Sequence, residues 1–83
     1  MKPSSSQRGH NILGKRIRLA RIRAKSDISQ SDLAARLTVM GIRMDRASIT
    51  RVENGKRYLR DFEIRAIAKV LKVSAAWLFR ETD

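Results

Sequence analysis

The feature that most constrains this chain is a helical period: apolar residues return at three- and four-residue steps in five short stretches, each bounded by residues that start or stop helices. From Ile12 to Ala24, the side chains of Leu13, Ile17, Ala20 and Ala24 share one helix face, while Leu19 and Ile22 add a second stripe that either widens the core face or meets another subunit. Ser29 is a good cap for a second helix; Asp32 stands three residues on, Leu33, Ala34, Leu37 and Met40 give the spacing, and Gly41 ends it. Asp45 caps a third, in which Ile49, Val52 and Glu53 point inward, and Asn54-Gly55 stops it. Asp61 is the expected cap of a fourth, with Phe62, Ile64, Ile67, Ala68 and Leu71 on its apolar face. Ser74 caps a short fifth containing Ala75, Trp77, Leu78 and Phe79. No stretch alternates apolar and polar residues as a strand would, so the expected fold is all-α, a compact five-helix bundle over residues 12–80. Residues 1–11 are polar, with Pro3, three serines and Gly9, and are expected to form a disordered basic tail; 81–83 form the C-terminal end.

Eighty-three residues make one domain and bury a modest core, which leaves no room for a two-domain enzyme. His10, the only histidine, falls in the tail, so no Ser/His/Asp set can assemble in the fold and no enzyme is expected. Cysteine is absent, which removes disulfides and thiolate metal sites and is compatible with a reducing cytoplasm. The chain has neither an apolar run of about 18 residues to span a bilayer nor the apolar core of a secretory signal. The expectation is a cytoplasmic protein with no membrane partner, no cofactor and no evident small-molecule ligand. Charge is more telling. Nineteen Lys and Arg against 8 Asp and Glu give a formal +11, with arginine the commoner base. Such self-repulsion brings the folded domain no stability, whereas neutralising phosphates on a polyanion releases counterions and drives binding.

Three segments narrow the choice: SQSDLA at 29–34, RASITRVENGKR at 46–57 and FEIRAIAKVLKVSAAWLF at 62–79. Together they resemble the XRE-type helix-turn-helix family of phage and bacterial repressors and Cro proteins, over roughly residues 12–80. The resemblance implies a lambda-repressor-like domain that binds double-stranded DNA and regulates transcription, most often by repression, with the second and third helices as the motif and the third in the major groove. The residues agree. With Ile49, Val52 and Glu53 inward, Ala47, Thr50, Arg51 and Asn54 face out, flanked by Arg46 and Ser48. Arg46 and Arg51 can bond guanine O6 and N7 bidentately, and the methyls of Ala47 and Thr50 can meet thymine methyls, so Arg46, Ala47, Ser48, Thr50 and Arg51 are the expected base readers. Asn54, Lys56, Arg57 and Arg60 follow the helix and are expected to grip flanking phosphates, with Arg43 approaching from the linker side. Ser29 and Gln30 open the second helix, where unpaired N–H groups favour an anion. The resemblance further implies that Gln30 contacts a phosphate and braces side chains of the third helix.

In the family, the glutamate at Glu53 pairs with an arginine of the first helix. Counting along LGKRIRLAR selects Arg21 and counting back from Gln30 selects Arg23, because the turn KSDIS is longer by two residues than is usual; Arg21 is favoured, since loops absorb insertions. TVMGIRM, between Leu37 and Asp45, also exceeds the usual link, so either the second helix runs an extra turn or the linker expands. A homodimer is expected because one recognition helix covers few base pairs. Trp77-Leu78-Phe79 is its candidate surface or else core, with Trp77 expected to be the most exposed of the three. Two rivals remain. An antitoxin would use the same domain and mask a toxin, for which the four residues after Phe79 offer little length. A basic amphipathic module for membrane surfaces or proteins would explain the first helix alone but leave the third without a reason.

Overall fold

The computed structural model describes residues 11–80; the expected tail through residue 10, with His10, and residues 81–83 lie outside the described residues. Five helices follow in order: α1 Gly14–Arg23, α2 Gln30–Val39, α3 Arg46–Glu53, α4 Asp61–Leu71 and α5 Ala75–Leu78. The fold is all-α. No strand occurs among the described residues.

The core takes Ile17 and Ala20 from α1 and Leu13 just before it, Leu33 and Leu37 from α2, Ile49 and Val52 from α3, Ala66, Ile67, Ala68 and Leu71 from α4, and Leu78 from α5. Ile28 and Met44 enter it from loops. Each fully buried Ile, Leu or Val contributes about 1.5–3 kcal/mol through removal from water. The second apolar stripe of α1 does not join on equal terms: Leu19 is half-buried, and Ile22 is exposed.

Three expected caps hold. Ser29 Oγ accepts from Asp32 N–H at 3.0 Å while Ser29 N–H donates to the Asp32 carboxylate at 3.1 Å, a reciprocal capping box. Asp45 Oδ1 accepts from Ser48 N–H at 2.8 Å, and Ser74 Oγ accepts from Trp77 N–H at 3.0 Å. Asp61 does not cap α4 but is its first residue; the cap position is Arg60, whose N–H donates to Glu63 at 2.9 Å. The start of α1 also differs. Asn11, assigned by composition to the tail, accepts from Leu13 N–H and Gly14 N–H, both at 2.8 Å, and its amide donates to the carbonyls of Val52 at 3.0 Å and Arg57 at 2.9 Å. One side chain thus starts α1 and ties it to the end of α3. Ile12 stays exposed.

Between α2 and α3 the extra length is shared: α2 continues through Thr38 and Val39, and residues 40–45 form the linker. Gly41, at φ 83°, allows Ile42 N–H to reach back to Leu37 O at 2.9 Å, and Met44 then fills the core at 3% exposure. Lys72 ends α4 in the same way at φ 59°, with Val73 N–H on Ala68 O at 3.0 Å, although a Cβ makes that left-handed backbone costly by about 1–2 kcal/mol. Phe62 is exposed rather than core. At the C-terminal end, Leu78 is fully buried and Phe79 is the exposed residue, so the expectation for Trp77 is reversed. Arg16 lies over the indole at 3.8 Å and donates twice to Trp77 O, at 3.1 and 2.9 Å.

Candidate nucleic-acid interface

The candidate interface is built on α3. Ile49 and Val52 are 1% exposed and Glu53 is 7% exposed, which fixes the rotation of the helix about its axis. Arg46, Ala47, Arg51 and Asn54 consequently face solvent, while Ser48 and Thr50 are half-buried at the edge of that face. The inward side is held by a polar chain. Arg21 donates to both Glu53 oxygens, Nε at 2.8 Å and Nη2 at 2.9 Å, and its Nη1 donates to Ile28 O at 3.1 Å. Arg23 is exposed, so the pairing left open between the two arginines resolves to Arg21. The hydrogen bonds to Glu53 raise the Arg21 pKa above its ordinary value, so the guanidinium stays charged.

Gln30 continues the chain outward. Its Nε2 donates to Glu53 Oε1 at 3.0 Å, and its Oε1 accepts from the Thr50 hydroxyl at 2.9 Å. A buried ion pair at the back of α3 is therefore linked, through the first residue of α2, to a side chain at the edge of its outward face. Thr50 Oγ1 also lies 3.1 Å from Arg46 O. Its single proton is committed within the protein, which leaves an acceptor lone pair and a methyl group for a ligand.

The remaining expected residues fall into two groups. Lys56 and Arg60 are exposed in the segment after α3, and Arg43 is exposed beside Met44, Asp45 and Ser48, lining a shallow cleft at the start of α3. Arg57 differs. Its guanidinium donates to Glu63 at 3.1 and 3.2 Å and to Tyr58 O at 2.9 Å, which turns an expected phosphate ligand into a brace between the loop and α4. On α1, Arg16 and Arg21 likewise leave the basic face for internal partners. Asn11 and Gly14 were missed by sequence reasoning, yet they position the whole site. A Cβ on Gly14 would collide with Val52 O and stand 2.7 Å from Glu53 O, so α1 approaches the end of α3 as closely as a backbone allows. Asn11 had a visible signal, an Asn just before the first apolar residue of a helix. Gly14 had none, because the close approach is made across the fold.

Between residues 43 and 60, Arg43, Arg46, Arg51, Lys56 and Arg60 are exposed, and the exposed acid among them is the α3 cap Asp45. Asp45 has its carboxyl held below the ordinary range by the Ser48 N–H, and Asp32 is held below it by the Ser29 N–H.

A family model described as helix-turn-helix matches residues 19–78. The chain belongs to the XRE-type helix-turn-helix family. No curated protein and no solved structure matches it. XRE-type domains are DNA-binding transcription regulators. The match begins at Leu19, inside α1, so the Asn11 and Gly14 anchors lie ahead of it. Among the described residues, no group of three or more His, Cys, Asp or Glu is placed to hold a metal ion, and no helix is long and apolar enough to cross a membrane.

Proposed function

We propose that this XRE-type domain is a sequence-specific repressor that places α3 in the major groove of duplex DNA and binds as a homodimer. The observation that carries the reading is the division of α3 into two sides. Ile49, Val52 and Glu53 lock into the domain, while Arg46, Ala47 and Arg51 stand free on one exposed face. Arg46 and Arg51 read guanines, and the methyls of Ala47 and Thr50 meet thymines. Ser29, Gln30, Arg43, Asn54, Lys56 and Arg60 contact the phosphates on either side and set the register. Gln30 has one amide proton left after bonding Glu53, and it can donate that proton to a phosphate oxygen. The dimer surface uses Phe79, an apolar side chain that stays 40% exposed just after α5.

Selection of bound duplexes from a random pool tests the reading and yields a consensus half-site containing guanine. With that site in hand, Arg51→Ala is expected to weaken specific binding by about 1–3 kcal/mol and leave non-specific affinity nearly unchanged. Equal losses on every duplex would move Arg51 to the phosphate group, and the absence of any enriched sequence would end the specific-binding proposal.

A further inference from the structure

A second concave surface uses no residue of α3. The turn between α1 and α2, the body of α2 and the end of α4 form a groove of about 150 Å³ with Ile28, Val70 and Leu71 in its floor and Lys25, Arg36 and Lys72 around its rim. Ile28 and Leu71 are buried, whereas the three cations are exposed and make no ion pair among the described residues. The acids nearest in sequence serve elsewhere. Asp32 accepts from Ser29 N–H, although its charge also reaches Arg36, and the charge of Asp27 acts on Arg21.

Lys72 reaches the rim from a left-handed backbone at φ 59°. Glycine adopts that conformation freely, whereas a lysine there carries a backbone cost, as Asp27 and Arg80 do at φ 54° and 62°. The volume is below the roughly 300–1,000 Å³ typical of small-molecule sites and suits a single large side chain. A DNA phosphate would gain nothing from the apolar floor. An apolar anchor flanked by carboxylates would use every part of the groove, the anchor supplying affinity and the charges orientation and speed of encounter.

We propose that this groove docks an acidic segment of a partner protein, with one apolar side chain seated against Ile28 and Leu71 and the flanking carboxylates on Lys25, Arg36 and Lys72. The proposal does not depend on the DNA reading. No lining residue belongs to α3 or to the first turn of α2, so the domain can hold the partner and DNA at once.

The probe is the capped peptide Asp-Glu-Asp-Leu-Glu-Asp-Glu, titrated into the isotope-labelled full chain and followed by amide chemical shifts, with a serine-for-leucine version beside it. The leucine peptide is expected to give saturable shifts at Ile28, Leu71 and Lys72 and to bind at least fivefold more tightly than the serine peptide. Lys72→Gly is expected to weaken it severalfold while raising the unfolding temperature, so lost binding cannot be ascribed to lost structure. Equal binding of the two peptides, shifts spread over the whole basic surface, or unchanged affinity in Lys72→Gly would overturn the proposal. Displacement of the peptide from these amides by duplex DNA would assign the groove to the DNA footprint and overturn it too. Peptide binding in a protein that binds no duplex would uphold the groove and end the DNA reading.

Discussion

Gly14 is the residue on which the position of α3 most depends, because its missing side chain lets α1 rest against the carbonyls of Val52 and Glu53. Gly14→Ala would ordinarily favour a helix by up to about 1 kcal/mol. Here the added methyl meets backbone, which cannot swing aside, and pushing α1 away also stretches the Asn11 bond to Val52 O. The expected net loss is about 1–3 kcal/mol, a fall in unfolding temperature of roughly 4–8 °C per kcal/mol for a domain of this size. Thermal unfolding followed by circular dichroism measures it, and a rise in melting temperature would contradict the close approach. Residues of this kind were not legible in the sequence. Arg57 is similar: beside Lys56 and Arg60 it reads as one more phosphate ligand, and only the buried carboxylate of Glu63 claims it. The Arg21–Glu53 pair could be foreseen only through the family resemblance, and the longer turn left Arg23 open until the fold showed it exposed.

At the scale of the element, helix starts were legible wherever a short polar side chain caps its own helix, as Ser29, Asp45 and Ser74 do. The start of α4 was misplaced by one residue because its cap position is Arg60, and Glu63 does the capping from within the helix. Burial pushes the Glu63 carboxyl up, but the Arg57 guanidinium, the Arg60 N–H and the two positive charges outweigh it and hold the group below the ordinary glutamate value of 4.5. A carboxyl with a lowered folded pKa stabilises the fold above its unfolded value, and that contribution fades as pH falls through the folded one. Glu63→Gln is therefore expected to melt at a lower temperature than the parent near pH 7, and the gap is expected to close progressively below about pH 4.5. A gap independent of pH would mean that the charge of Glu63 plays no part. The exposure of Phe62 escaped the periodicity argument for a related reason: it sits in the first turn of α4, where the bundle has no neighbour to cover it.

For the whole molecule, a formal charge of +11 on 83 residues makes DNA affinity steeply salt-dependent. Each phosphate contact contributes about 0.9 to the slope of log affinity against log salt, so Lys56→Ala is expected to flatten the slope by about that amount and to weaken all duplexes alike. Binding isotherms at several salt concentrations decide it, and an unchanged slope would remove Lys56 from the footprint. Phe79→Glu is expected to shift sedimentation toward the monomer and to weaken paired half-sites more than a single one; an undisturbed dimer would place the two-fold contact elsewhere. The bond chain from Arg21 through Glu53 and Gln30 to Thr50 has a broader consequence. Because orientation is secured from behind, Arg46, Ala47 and Arg51 would, on the proposed reading, form an exchangeable cassette: replacing them is expected to redirect the domain to other operators without re-engineering its scaffold.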